Sequence, residues 1–576
     1  MKQFVFDIEA NGLNPDKVWC IVAQELSTGD VTVWRQEEVA QFSVWIKELG
    51  DCEVIGHNII DYDIPVLERL LNTDFSKCKV TDTLVMSRLA NPQREGGHSL
   101  ENWGNILGQP KGEHSDWDNY SQDMVDYCSQ DVAVNVLAYK RLLTELDGFG
   151  SESIDLEHRV QSIISQQIKA GWKLDQEKAF LLLAELKEKK YDLEDEVLQT
   201  FKPLPTFVKE ITPKIKKDGT HSVVGLKFLG EQWTTVVAPF SRLDYPVFNL
   251  GSRQQIGRYL QYFGWKPKQF TETGQPIVDE AVLSKVEGIP QASLIGEYLM
   301  IQKRVAQVQS WLDAVKDDGR VHGYVNACGA VTGRMTHSSP NMGQVPAVYS
   351  PYGKQCRDVW TVPEGYKLVG CDASGLELRM LAHYMNDEDY TNEILNGDIH
   401  TANQLASGVE TRDQAKTFIY AFLYGAGDAK VGSIVGGTKR DGARLKEKFL
   451  SNTPSLRDLR ERVGVAATRG YVLGLDRRRV SIRSEHAALN SLLQSAGAVV
   501  MKKALCLLQE YATIWGIQYN IIGNIHDEIQ TEVEQEKAEV YGRLAVSCIE
   551  AAGLHYKLNC PLTGDYKVGN SWADTH

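Results

Sequence analysis

Residues Arg412-Asp413-Gln414-Ala415-Lys416-Thr417-Phe418-Ile419-Tyr420-Ala421-Phe422-Leu423-Tyr424, followed by Gly425, decide the reading of this chain. Arg412, Lys416, Tyr420 and Tyr424 are each four residues apart. On a helix, side chains at that spacing share one face and drift slowly around the axis. The face is a stripe of two cations followed by two phenolic rings. Cations suit a polyphosphate, and rings suit a base and a sugar. The stripe therefore has the chemistry to lie along a nucleoside triphosphate. An amphipathic surface helix with ordinary core aromatics has the same spacing, so the rest of the chain has to arbitrate.

A chain of 576 residues is too long for one hydrophobic core, and roughly two to four domains are expected. No apolar run approaches the length needed to cross a bilayer. Asp7 and Glu9 interrupt the only apolar stretch near the N-terminus, which argues against a signal peptide. The ten cysteines are scattered, with no Cys-x-x-Cys pair. That disfavours a structural zinc site or a redox motif and fits a cytosolic protein with reduced thiols. The net charge of −14 has the wrong sign for a nucleic-acid binder taken whole. Residues 1–150 hold 25 acidic and 12 basic side chains, a net of −13, while the remaining 426 hold 51 and 50, a net of −1. Acid is concentrated in the first segment, and the rest is free to present cationic faces to a phosphate backbone. Overall charge neither supports nor excludes a DNA partner.

The chain opens on a strand pattern, Phe4-Val5-Phe6-Asp7-Ile8-Glu9, and strand and helix patterns alternate to about Leu146. Gly148-Phe149-Gly150-Ser151 has linker composition. From about Ser153 to Phe201 the pattern is helical and heavily charged. From Lys202 to Val247 it changes to prolines, lysines and β-branched runs without a helical period, which reads as an inserted module of small strands and loops. Helical patterning returns at Ser252 and runs through Arg304, and a mixed region follows to the C-terminus. The expected fold class is α/β and α+β, multidomain, without internal repeats.

Two carboxylate clusters stand out. Asp7 and Glu9, two apart on a strand, share a face. Asp63 closes the phrase Gly56-His57-Asn58-Ile59-Ile60-Asp61-Tyr62-Asp63, and Tyr127 and Asp131 are four apart on a predicted helix. Four carboxylates on one site repel unless cations neutralise them. Oxygen donors without cysteine or histidine suit Mg²⁺, with Mn²⁺ as a substitute. Two ions about 4 Å apart can activate a water and stabilise the departing oxygen in phosphodiester hydrolysis, with Tyr127 orienting the water. Solvated surface acids are the plainer reading of Asp7 and Glu9 alone. With Asp63 and the Tyr-x-x-x-Asp ending, the set resembles the DEDD-type 3′→5′ exonucleases in their tyrosine variant. Asp61 competes for the third position, and Asp63 is preferred because it follows a tyrosine.

In the second cluster, Val369-Gly370-Cys371-Asp372 reads as an apolar strand ending in an acid, with a helix start over Ser374 to Met385. Tyr519 to Ile525 and Ile529 to Val533 read as two strands around His526-Asp527-Glu528, an acidic tight turn. Asp372 and Asp527 at adjoining strand ends would hold two Mg²⁺ ions, one activating a primer 3′-hydroxyl and one holding a triphosphate.

These segments together resemble family A DNA polymerases, specifically the replicases of short-tailed, T-seven-like phages. The motifs that carry the resemblance are Asp372-Ala373-Ser374-Gly375-Leu376-Glu377-Leu378-Arg379, Arg412 to Gly425, and His526-Asp527-Glu528. Thr332-Gly333-Arg334 through Pro340-Asn341, Gln344-Val345-Pro346, and Asn490-Ser491-Leu492-Leu493-Gln494 add to it. The resemblance implies a template-directed DNA polymerase with a proofreading 3′→5′ exonuclease, replicating phage DNA in the host cytoplasm. Each site would use two Mg²⁺ ions. Asp372, the Ala373 carbonyl and Asp527 would hold the metals at one site, with Glu528 near the primer terminus. Asp7, Glu9, Asp63 and Asp131 would hold them at the other. Glu377 is similar to the steric gate against a ribose 2′-hydroxyl. His400, Arg412 and Lys416 would contact the triphosphate, Tyr420 the sugar, and Tyr424 the template and base. Arg334, His486 and Gln494 would contact primer–template DNA.

The implied domains are an RNase H-like DEDD exonuclease over 1–150, a thumb over 151–325, a palm over 326–385 and 481–576, and fingers over 386–480. No 5′-nuclease segment is expected before the first strand. The segment 202–247 falls where these phage enzymes carry a thumb insertion that docks host thioredoxin, and it is shorter here. It is basic, with seven Lys/Arg against four acids including Glu231, and it offers Phe207, Val224, Leu226 and Trp233 to a partner. A solvated loop is the other reading of the same residues. Phage helicase-primase and single-strand-binding protein are further implied partners. An exonuclease with a degenerate polymerase half is disfavoured because every polymerase carboxylate is present. A non-catalytic DNA-binding scaffold is disfavoured by two intact clusters.

Position 420 yields a test. The resemblance allows phenylalanine or tyrosine there, and a phenol can replace the hydrogen bond that a missing sugar 3′-hydroxyl would make. The enzyme is expected to incorporate dideoxynucleotides readily, and Tyr420→Phe to discriminate against them. Strong rejection of dideoxynucleotides by the unaltered enzyme in a primer-extension assay would refute this.

Overall fold

The computed structural model describes residues 1–576 apart from Lys111, Glu113, Gly225 and residues 231–237. The chain divides into two compact units, residues 1–174 with 314–576, and residues 175–313.

In the first unit, a five-stranded sheet has the order Val31–Trp34, Val18–Glu25, Lys2–Ala10, Cys52–Gly56, Cys78–Asp82. The first three strands pair antiparallel and the last three parallel. Lys2–Ala10 is the central strand, so both its faces are covered. Phe4, Phe6 and Ile8 join Trp34, Phe42 and Phe75 in one core. Val5 joins Trp19, Trp103 and Val132 in the other. Strand alternation puts Asp7 and Glu9 on the Val5 face. The long helix Gln122–Glu145 covers that face and carries Tyr127 and Asp131.

A four-stranded antiparallel sheet has the order Tyr519–Ile525, Glu528–Glu534, Tyr366–Ala373, Gly564–Gly569. Helices Ala488–Ile514 and Ala538–His555 share its core through Leu505, Tyr541 and Ile549 against Val369, Cys371 and Val533. The segment Glu485–Ile514 is long and apolar enough to cross a membrane by length and composition, which corrects the expectation that no such run exists. Its apolarity has another use here, because 83% of its most apolar window is buried inside the protein.

Helix Ser151–Ala170, expected to open the thumb, is counted with the first unit. Its Leu156, Val160, Ile163 and Ile164 belong to the core of the four-stranded sheet. It also carries Glu157, which accepts from Lys502 Nζ at 2.6 and 2.8 Å and from Arg478 Nη1 at 2.6 Å. Arg478 Nη2 reaches Asp476 at 2.6 Å. All four side chains are at most 3% exposed. Two cations and two anions thus neutralise one another where water does not reach.

The helix Arg412–Leu423 starts at a capping box formed by Thr411 and Gln414. Its inner face buries Ala415, Phe418, Ile419 and Phe422, and Phe418 and Phe422 meet Phe449 edge-on. That burial leaves Arg412, Lys416 and Tyr420 on the opposite side. Tyr424 lies one residue beyond the helix, at its C-cap.

In the second unit, helices Gln176–Thr200 and Gln291–Ala314 are bridged by Lys189 and Glu297 at 3.4 Å. Strands Thr206–Ile211 and Phe240–Asp244 pair antiparallel, with an isolated bridge from Ile215 to His221. Glu231 and Trp233, assigned to the insertion, lie outside the described residues.

Removing one partner from a buried ion cluster leaves uncompensated charge. Glu157→Ala is expected to lower the unfolding free energy by about 3–5 kcal/mol, read by urea denaturation. A loss below about 1 kcal/mol, the scale of an exposed pair, would show that the cluster is not desolvated.

Candidate active sites

Asp372 lies near the end of strand Tyr366–Ala373, directly opposite Glu528 on the neighbouring strand. Asp527 occupies the tight turn between Ile525 and Glu528, which are themselves paired. His526 enters that turn in the left-handed region, with φ of 61°. The Ala373 amide donates to the Asp527 carbonyl at 3.1 Å, which ties the turn to the strand bearing Asp372. Asp565, on the opposite flank, pairs with Asp372 and accepts from Ser374 Oγ at 3.1 Å. Burial, then the charges of Asp527, Glu528 and Asp565, push the Asp372 carboxyl up to about 7. Burial also raises Asp527, against the pull of His526 and Arg334. Burial pushes Glu528 the same way, but it ends below the usual range because His576, Trp572 and Gln530 all hydrogen-bond it.

Glu377 forms the next layer. Tyr424 Oη donates to both of its oxygens, at 2.9 and 2.8 Å, and Arg334 Nη2 lies 3.3 Å from Oε1. Burial, then that bond and the Glu377 charge, push the Tyr424 phenol up to about 12. Burial, then the charges of Glu377 and Asp527, push the Tyr420 phenol up. Its centroid is 6.4 Å from that of His400. Arg412 is held bidentate by Asp398, at 2.6 and 3.1 Å, and Asp398 also caps the helix Ile399–Ser407. Lys416 is exposed. Gly425 has φ of 71°, and a Cβ there would meet the His486 carbonyl at 2.8 Å, so only glycine fits against the His486 backbone. Gln494 donates to Asn490 on its own helix at 3.1 Å. Among the described residues, His486 is thus fixed by its backbone against Gly425, and Gln494 by Asn490.

In the first cluster, ligand atoms of Asp7, Glu9 and Cys128 lie within 4.8 Å of one another. Cys128 Sγ donates to the Asp7 carbonyl at 3.4 Å. The thiol is a donor that sequence reading passed over, although its place beside Tyr127 was visible. Asp63 is 3% exposed, and its Oδ1 is buried without a hydrogen-bond partner among the described residues. Burial, then the Asp7 charge, push it well above the usual aspartate range. The neighbouring Tyr62 phenol is driven up to about 12 by burial and by Asp63, Glu9 and Asp7. Asp131 is buried on the covering helix. Tyr127 packs against Trp117 and His114, at 5.7 and 6.0 Å between centroids. Asp61 points elsewhere, to Gln161 Nε2 at 2.9 and 3.0 Å. Each cluster holds carboxylates whose protons burial and neighbouring acids tighten, Asp63 in one and Asp372 and Asp527 in the other, and both donor sets are dominated by oxygen. That chemistry fits hard divalent cations.

The family described as DNA polymerase family A matches residues 228–574. The chain is 35% identical over 710 residues to a DNA-directed DNA polymerase of Escherichia phage T7, covering 99% of this chain and 100% of that one. The corresponding Enterobacteria phage T3 protein is 35% identical over 708 residues, with the same coverage. A solved structure, the POL domain of Pol1 from M. smegmatis in complex with DNA primer-template and dNTP, shares the fold with a TM-score of 0.78. It is 20% identical and covers 99% of this chain and 96% of that one. The fold is a mixed α/β polymerase fold, and the chain belongs to DNA polymerase family A.

Asp372 provides a pH test. Its carboxyl rises from 3.8 to about 7 on folding, so the folded protein holds this proton longer than the unfolded chain. The stabilising contribution is complete below 3.8 and lost as pH rises through about 7. In EDTA, stability is expected to fall over that window, and less so in Asp372→Asn. Identical slopes in urea unfolding across pH would contradict the crowding of Asp372.

Proposed function

We propose that the chain is a DNA-templated DNA polymerase with a separate 3′→5′ exonuclease centre that proofreads, replicating phage DNA in the host cytoplasm. One observation carries the reading: Asp372 and Asp527 meet at one sheet end, where the Ala373 amide binds the Asp527 carbonyl. In this reading residues 1–150 are an RNase H-like exonuclease domain, 151–325 the thumb, 326–385 and 481–576 the palm, and 386–480 the fingers. Primer-template DNA and dNTPs are the substrates. Host thioredoxin is assigned to segment 202–247, and helicase-primase and single-strand-binding protein remain partners of the same replication role.

Asp372, the Ala373 carbonyl and Asp527 would hold two Mg²⁺ ions, and Asp7, Glu9, Asp63 and Asp131 two more. Such ions supply activation of an attacking hydroxyl or water and neutralisation of the departing oxygen. The protein's own residues do the rest. Lys416, His400 and Arg412 line up for the phosphates, and Arg412 must then exchange or share its Asp398 partner. Tyr420 offers its ring to the sugar. Glu377 is held by Tyr424 and Arg334, so it cannot swing away from a ribose 2′-hydroxyl. That rigidity supports deoxyribose selection. At the second centre, Tyr127 stands four residues before Asp131 and is braced by Trp117.

A primed-template assay tests the two centres. Asp372→Asn is expected to lower extension by at least about a hundredfold, the scale of losing one catalytic electrostatic group, and to leave degradation intact. Asp7→Ala is expected to do the reverse. Loss of both activities in either variant would contradict separate sites.

A further inference from the structure

Arg412 is the first residue of helix Arg412–Leu423. A cation at a helix N-terminus works against the helix dipole, so a chain that keeps one there needs an anion beside it. Asp398 is that anion, and its hydrogen bonds reach beyond Arg412. Its Oδ1 accepts from the His400 amide at 3.1 Å, the Thr401 amide at 3.4 Å and Arg412 Nη2 at 3.1 Å. Its Oδ2 accepts from Thr401 Oγ1 at 2.9 Å and Arg412 Nε at 2.6 Å. One carboxylate thus caps the helix that carries His400 and grips the first side chain of the helix that carries Lys416 and Tyr420. The Arg412 bond above all, with those from Thr401 and His400, holds the Asp398 carboxyl well below the usual aspartate range, so it is ionised at any working pH. A separate tie, from Gln404 Nε2 to the Glu410 carbonyl at 2.8 Å, joins the first of these helices to the loop before the second.

The Arg412 and Asp398 side chains are 51% and 42% exposed. An exposed pair contributes little to stability, so its two-point geometry has another use. A carboxylate has about four lone-pair sites, and here the helix end and the guanidinium fill them. Little is left to swing aside or to repel an incoming anion. The guanidinium is not used up. Its Nε–Nη2 edge faces Asp398, while the hydrogens of Nη1 and the far hydrogen of Nη2 lie outside that contact. A planar fork can serve a carboxylate on one edge and a phosphate on the next, at fixed angles, and an ammonium cannot. Ordering a loose arginine also costs rotamer freedom, and Asp398 imposes that order before any nucleotide arrives.

We propose that Asp398 is a positioning residue for nucleotide binding: it keeps its hold on Arg412 when the triphosphate arrives, so the guanidinium is shared between carboxylate and phosphate rather than exchanged. The proposal rests on the polymerase reading, in which Arg412 meets the triphosphate.

The test uses the full chain in single-nucleotide extension of a primed template. Asp398→Asn keeps a good helix cap and removes the charge, so its urea midpoint is expected to match that of the unaltered protein. Its KM for dNTP is expected to rise about tenfold, the low end for losing hydrogen bonds to a charged group. Its kcat is expected to stay within about twofold, the signature of lost nucleotide binding. Arg412→Lys is expected to raise KM about tenfold as well, since an ammonium cannot serve both partners, and this arm does not depend on how Asp398→Asn folds. Adding Asp398→Asn to Arg412→Lys is expected to change KM by less than about twofold, because the two residues act as one unit. A lowered or unaltered KM in Asp398→Asn would overturn the inference, as would a tenfold rise that persists on top of Arg412→Lys. Either result leaves the polymerase reading standing. An unaltered KM in Arg412→Lys would take Arg412 off the triphosphate, and absence of extension by the unaltered protein would overturn the polymerase reading itself.

Discussion

Like charges forced together by backbone hydrogen bonding are the constraint on which the rest of this molecule depends. Asp372 and Asp527 do not attract each other. They meet because the Ala373 amide binds the Asp527 carbonyl and because Ile525 and Glu528 close a turn too short to swing aside. Asp372 responds by holding its proton to about 7. A site built this way stores electrostatic repulsion that a divalent cation relieves. The same logic governs Asp7 and Asp63, where the sheet and the helix Asp63–Leu71 that Asp63 opens impose the approach.

Such crowding needs a stiff frame. Part of the stiffness lies behind the carboxylates, in the buried cluster of Glu157, Lys502, Arg478 and Asp476. It joins helix Ser151–Ala170, helix Ala488–Ile514 and the hairpin of Tyr471–Leu473 and Arg479–Ser481. Arg478 also lies against Gly333, since a Cβ there would meet its Nη1 at 2.6 Å. The residue following Gly333 is Arg334, which reaches Glu377. The buried charges are thus one packing step from the Glu377 layer.

Much of the arrangement was legible because it obeys local periodicity. Asp7 and Glu9 share a face by strand alternation, and Arg412, Lys416 and Tyr420 share one by helical spacing. What escaped the sequence depends on register between elements. Cys128 lies beside Asp7 only because helix Gln122–Glu145 settles at one particular height on its strand. Asp61 competes with Asp63 by position, the preceding tyrosine favours Asp63, and only packing shows Asp61 turned to Gln161 and Asp63 buried near Asp7. The apolar length of Ala488–Ile514 escaped notice because its polar residues, Asn490, Gln494 and Lys502 among them, break the run. Burial, rather than uniform apolarity, makes it a core helix.

The sequence by itself determined the inventory of this protein: which acids, cations and rings exist, and which of them share a strand face or a helix stripe. Covalent order and backbone periodicity suffice for that. The tertiary structure alone decided which stripes meet: Glu157 with Lys502 across 345 residues, and Arg88 with Tyr324 across 236. The physical reason is range. Local periodicity reaches one or two turns of chain, whereas desolvated ion pairs and packed faces are selected by the shape of the whole core.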